Sequence, residues 1–173
     1  LPNYIYNIPM QEGVNIFEED FWAITEALNR LLQGTNARTI LLIDKAGQLI
    51  TSAGDTSSID VSSFATLSAA DFAATSQLAS LIGEKEFSTL FHQGERENLY
   101  VCLIADRVIL AVIFDQRTTL GLVRVKAKNT ANELEKIFED IFAKLGKEKP
   151  QQKPFDIDFT KAAEDELDKL FGF

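Results

Sequence analysis

One cysteine and one histidine in 173 residues remove several kinds of chemistry at once. A lone cysteine cannot close an internal disulfide, and with no secretory signal it points to a reducing cytoplasm. Cys102 sits inside YVCLIA, where a thiol reads as a small buried hydrophobe. His92 follows Leu90 and Phe91 with no second histidine or cysteine nearby, so no metal site of the usual ligand count can be drawn, and no cofactor is expected. Basic residues are scarce: 17 Lys and Arg against 26 Asp and Glu leave a formal net charge of −9. That balance argues against nucleic acid and an anionic membrane surface as partners, because both need a basic patch. It fits a chain kept dispersed by self-repulsion. The longest apolar window, LYVCLIADRVILAVIF, is broken by Asp106 and Arg107 and cannot span a bilayer. The opening LPNYIYNIP has no basic start and is too short for a signal peptide. It is expected to be an upstream remnant outside the fold, with Met10 the native start.

What is present is a core. At 46% hydrophobic content, the chain can fill one domain of ordinary size plus appendages. Residues 15–33 place Phe17, Phe21, Ile24, Leu28 and Leu31 at alternating steps of four and three, the spacing of a helix with one buried face. Asn15 with Glu18 resembles a capping box, Gly34 is the expected stop, and Trp22 is expected at the flank of the core. In ILLIDKAGQLITSAG, residues 40–54, two apolar runs flank a short Gly-bearing break without the Lys-Ser/Thr of a phosphate loop, so the stretch reads as a β-hairpin. Residues 60–82 predict a second helix, capped by Asp60 and ended by Gly83. One stripe on it is Phe64, Leu67, Ala74, Leu78 and Leu81. Another is Ala65, Ala69, Ala73, Ser76 and Ser80, a face of small residues that either lies under another chain or is simply exposed.

EFSTLFH, LYVCLIA and VILAVIFD, joined by QGEREN and DR, read as three strands. The last two are apolar nearly throughout and need cover on both faces. EFSTLFH lacks Pro and Lys and would leave a poorly guarded edge if outermost, which pairing with a second copy or a covering loop would resolve. Residues 118–145 predict a long helix with Leu120, Val123, Ala127, Thr130, Leu134, Ile137 and Ile141 on one stripe. KEKPQQKP then reads as a linker. The acidic tail carries Leu167, Leu170 and Phe171 on one helical face, a segment too short to stand alone in water. The expected fold class is α+β: a five-stranded antiparallel sheet with helices on both faces, in the order α-β-β-α-β-β-β-α, plus a C-terminal amphipathic helix. The expected boundaries are an extension over 1–15, a domain over 16–145, a linker over 146–158 and the short helix over 159–173.

No Gly-x-Ser-x-Gly elbow occurs, and acidic pairs such as Glu18-Glu19 lie on solvated faces, so no catalytic residue is assigned. An arginine supplied to a partner's phosphoryl-transfer site is the one catalytic role open to such a chain. Arg96 and Arg117 are its exposed candidates among Arg38, Arg96, Arg107, Arg117 and Arg124.

The phrases LIDKAGQLITSAGD, LASLIGEKEF, FHQGERENLYV and VILAVIFDQRTTLGLVR resemble the Roadblock (dynein light chain) family, in particular its MglB-type bacterial branch, over residues 16 to 145. PFDIDF and DELDKLF in the tail resemble the C-terminal segment of that branch. The resemblance implies a cytoplasmic homodimer, at a cell pole, acting in polarity or motility control. It implies that one dimer holds one MglA-like Ras-type GTPase and activates GTP hydrolysis without an arginine finger. Carried over by position, the partner-binding residues are Ala73, Ala74, Ser76 and Gln77 on the second helix. Leu167, Leu170 and Phe171 in the tail would aid nucleotide exchange. A scaffold that binds a GTPase or motor complex without changing its rate is the alternative. A small-ligand sensor would need a cavity these apolar strands do not advertise.

Overall fold

The structure, a computed structural model, describes residues 18–147. The chain divides into residues 1–142 and 143–173, and of the second unit only 143–147 is described. The element order is α1 (Glu18–Thr35), β1 (Thr39–Asp44), β2 (Leu49–Gly54), α2 (Val61–Leu81), β3 (Thr89–Gln93), β4 (Asn98–Ile104), β5 (Val108–Phe114) and α3 (Leu120–Lys147). All pairings are antiparallel and the strand order is β2-β1-β5-β4-β3. The expected α+β architecture is therefore present. The extension, the linker and the tail, with Leu167, Leu170 and Phe171, lie outside the described residues, as do Asn15 and Phe17.

Burial explains the strand order. Every residue of β5 is buried and β1 is buried from Thr39 to Ile43, so these two strands take the middle, where both faces are covered. Alternation along the strands puts Leu41, Ile43, Val101, Ile109 and Ala111 on one face, where they form a cluster with Ala65 and Phe72 of α2. Ile40, Leu42, Cys102, Leu110 and Val112 point to the other face, on the side of α1 and α3. There Arg124 of α3 reaches Tyr100 of β4 electrostatically, and the Arg107 guanidinium lies 4.4 Å from the centre of the Phe142 ring. Arg30 of α1 bonds Glu133 of α3 and ties the two outer helices together.

Three local expectations are corrected. Gly34 does not end α1; the helix runs to Thr35, whose hydroxyl donates to Leu31 O at 2.7 Å, and Asn36 takes the left-handed position with φ 55°. Trp22 is 64% exposed rather than flanking the core. In α3 the largest core side chain is Phe138, fully buried and stacked near Phe142, while Leu120 and Ile137 of the expected stripe are only half-buried. The helix lies over the sheet with Val123, Ala127, Thr130, Leu134, Phe138 and Ile141 inward, and position 138 falls between two of the residues read as the seam. Phe138→Ala should cost about 3–5 kcal/mol of unfolding free energy, as large-to-small core changes do. Trp22→Ala should stay within about 0.5 kcal/mol. Urea titration of both variants checks the contrast, and equal losses would contradict this core.

Candidate functional site

The residues expected to bind a partner lie on α2, so its two faces decide the site. Its start is fixed by Asp60, whose carboxylate accepts from Ser63 N at 3.2 Å and Ser63 Oγ at 2.7 Å. The Ser63 side-chain bond, with the backbone bond, holds the Asp60 carboxyl below its usual range. At the other end Glu84 N donates to Ala79 O and Gly83 N to Ser80 O, with Gly83 at φ 84°, the bonding of a Schellman stop.

Ala65, Ser68, Phe72 and Ala79 of α2 are buried and face the sheet. Their small size lets the helix come down close: a Cβ added at Gly47, in the β1–β2 turn at φ 88°, would stand 2.9 Å from Thr66 Cα. The leucines of the apolar stripe face outward, while Phe64 packs at the edge of the core. Leu67 is 68% exposed, Leu78 56% and Leu81 82%, with Ile82 at 70% just beyond the helix. Ala70, Ala73, Ala74 and Gln77 are exposed beside them, and Ser76 is half-buried. Asp71 is the only charged residue of α2. A nearly uncharged outer surface with several large apolar side chains is the mark of a protein-docking face.

Polar side-chain contacts lie on both flanks of this helix. On one flank the Asp71 carboxylate meets His92 Nε2 of β3 at 2.6 Å. β3 is the edge strand, largely exposed, as feared for EFSTLFH, though it begins at Thr89 rather than Glu86. Leu67, Ala74 and Leu78 lie on the Asp71 side of α2, so the open edge and the leucine surface adjoin. On the other flank Lys45 Nζ meets Asp106 Oδ1 at 2.9 Å and Glu86 Oε1 at 3.7 Å. The hydrogen bond and charge of Lys45 hold the Asp106 carboxyl below its usual range. Asp106 owes its place to a tight β4–β5 turn in which Ala105 and Asp106 both have positive φ, 50° and 57°.

The family resemblance placed Ala73, Ala74 and Gln77 on a partner-binding surface, and all three are exposed; the sequence showed Leu67, Leu78 and Leu81 as one stripe without fixing which way it faces. The lone charge at Asp71 was a signal for the face assignment only once His92 is known to face it. The Lys45–Glu86–Asp106 cluster joins three loops far apart in sequence and had no local signature. Cys102 is buried, and burial pushes its thiol up to about 12, in keeping with an inert core residue. Among the described residues no group of acidic, His and Cys side chains could hold a metal, and no helix is long and apolar enough to cross a membrane.

The Roadblock/LC7 domain profile matches residues 23–114. The chain belongs to the Roadblock/LC7 family. Among solved structures it is similar to Myxococcus xanthus MglB, with 48% identity and a TM-score of 0.69 over 73% of this chain and 95% of that one. The gliding protein MglB from Thermus thermophilus is 33% identical, with a TM-score of 0.69 over 72% of this chain and 95% of that one. An MglB structure described as having a tetrameric arrangement is 34% identical, again with a TM-score of 0.69, over 73% and 95% of the two chains. No curated protein matches in sequence. These matches place the Roadblock sheet and its α2 surface in a family frame.

The Lys45–Asp106 pair has a testable pH signature. A carboxyl held below its ordinary value of 3.8 when folded stabilises the protein above that value and loses the effect as pH falls through the folded pKa. Asp106→Asn should therefore lower the thermal midpoint at pH 7, with the gap from the unaltered chain closing in acid. Melting curves from pH 7 to pH 2 test this, and a gap that persists unchanged at pH 2 would contradict it.

Proposed function

We propose that this chain is a homodimeric regulator of a small Ras-like GTPase of the MglA type, acting in bacterial polarity or motility as a GTPase-activating protein with no active site of its own. The observation that carries the reading is 48% identity to an MglB across 95% of that relative. The chemistry of α2 supports it. A face with small residues and one charge suits close contact with another protein's loops and offers no nucleophile, acid or base of its own.

The dimer uses the edge of β3 and the leucine flank of α2. Leu67 and Leu81 lie seven residues either side of Ala74, so two copies of α2 crossing antiparallel at Ala74 would set leucine against leucine. A self-complementary stripe of this kind is what a two-fold interface requires. Small residues at the crossing allow the helices to approach. Ala73, Ser76 and Gln77 lie around the helix from that stripe and meet the GTPase, one GTPase per dimer.

Activation proceeds by pressing the GTPase's own switch residues into position, without an inserted arginine. The arginine placements favour this. Arg38 bonds Glu97 at 2.7 Å and also Ser58, the Arg117 Nε bonds Asp115 at 2.9 Å, and Arg30 pairs with Glu26 at 3.0 Å. None belongs to α2. The domain is assigned to residues 16–145 and the linker to 146–158. The helix over 159–173, with Leu167, Leu170 and Phe171, docks elsewhere on the GTPase and assists exchange, in the cytoplasm at a cell pole.

Single-turnover hydrolysis by an MglA-like GTPase, with and without excess of this chain, tests the reading. A rise of about tenfold or more, saturating at two chains per GTPase, is expected. Binding without acceleration would leave a scaffold instead. Ala73→Arg and Gln77→Arg should each keep the dimer and abolish GTPase binding, read by gel filtration; unchanged binding by both would remove this face from the interface. Deleting residues 155–173 should reduce nucleotide exchange more than hydrolysis, and equal losses would refute a separate tail site.

A further inference from the structure

On the flank of α2 away from Asp71 and the β3 edge, the surface sinks into a recess of about 230 Å³. That is roughly the volume of seven or eight waters, enough for one long side chain. Phe72, Ala69 and Ala73 make an apolar floor, and Lys45, Gln77 and Glu86 stand at its walls. Ala69, Ala73 and Ser76 lie roughly 140–200° around the helix from Asp71, at about 100° per residue. A dimer built on the β3 edge and the leucine stripe therefore leaves this recess open.

Two carboxylates, Asp106 and Glu86, converge on the single ammonium of Lys45. Asp106 takes the short contact at 2.9 Å; Glu86, with its side chain only 26% exposed, is left at 3.7 Å, beyond hydrogen-bond length. Lys85, in the same loop as Glu86, acts on Asp106 through its charge, and the Glu86 and Asp106 side chains also interact with each other. Two neighbouring carboxylates with one ammonium at hydrogen-bond distance, set beside an apolar floor, match one kind of guest: an aliphatic shank ending in a cation.

The geometry points to this recess as a specificity pocket for an arginine or lysine side chain of the bound GTPase, its shank on Phe72 and Ala73 and its charged head on Glu86. The assignment rests on the GTPase reading above and adds the partner chemistry that reading lacks. The pocket lies directly beside Ala73 and Gln77, so a partner seated on those residues reaches it without any rearrangement of α2. Lys45, anchored by Asp106, fixes the position of Glu86 and repels a second cation from the Lys45 side, which confines the guest's head to the Glu86 side of the recess.

The test measures affinity of the full chain for an MglA-like GTPase loaded with a non-hydrolysable GTP analogue, at low and high salt. Glu86→Gln keeps the shape and removes the charge; it should weaken binding about tenfold or more and flatten the salt dependence. Ala73→Leu fills the recess without touching the ion cluster and should weaken binding comparably, with dimer size and melting midpoint kept. Glu86→Lys should bind worst, and changing the responsible arginine or lysine of the GTPase to glutamate should restore it. Glu86→Gln binding within twofold of the unaltered chain overturns the pocket, whatever Ala73→Leu does. No binding by the unaltered chain overturns the GTPase reading and the pocket with it, so the two failures are distinct.

Discussion

The close approach of α2 to the sheet is the contact on which the rest of the molecule depends. The central strands are apolar on both faces and need a cover on each side. On one side that cover is a single helix. A lone helix laid over five strands must come down close to exclude water, and bulky inward residues would hold it off. Ala65, Ser68 and Ala79, with Phe72 filling the gap over Val101 and Ile109, solve this. Gly47 completes the fit, because any side chain there would meet the α2 backbone at Thr66. The cost is that α2's leucines have no place inside. Packing and the docking face are thus one decision: small residues inward force large ones outward.

That coupling also explains which parts of the fold were legible in the sequence. Element order, the hairpin pairings and the ends of α2 followed from local rules: the alternation in β1 and β2, the Asp60 cap, the Gly83 stop. Face assignment on α2 did not. Periodicity shows that two stripes exist, and ordinary hydrophobic reasoning sends the leucine stripe to the core. Here the sheet prefers alanine, because the available depth rather than the transfer energy decides. The same competition placed Phe138 inside and Ile137 at the margin on α3, where the two positions are neighbours and helical phase alone separates them by about 100°. Asn36 in place of Gly34 as the end of α1 is a smaller case: Asn tolerates the left-handed conformation, and the extra turn satisfies the Thr35 hydroxyl.

The candidate site divides in the same way. Ala73, Ala74 and Gln77 could be placed on an outer surface from a family resemblance, because helical phase carries over between relatives. The charge cluster beside them could not. Lys45 opens the β1–β2 turn, Glu86 precedes β3 and Asp106 turns the β4–β5 hairpin. Only the strand order β1-β5-β4-β3 brings those three loops to one end of the sheet, next to α2. No window of sequence contains that information.

The two flanks of α2 therefore carry different chemistry for a structural reason. The flank toward His92 adjoins an open strand edge, whose backbone groups are free to pair with another strand, and its side chains are leucines suited to a like surface. The flank toward Lys45 adjoins loop ends, where chain reversals expose charged residues, and it combines an apolar floor with two neighbouring carboxylates. A second copy of the chain matches the first flank by symmetry, since leucine meets leucine about Ala74. In the proposed assembly, self-association and recognition of a different protein fall on opposite sides of one helix.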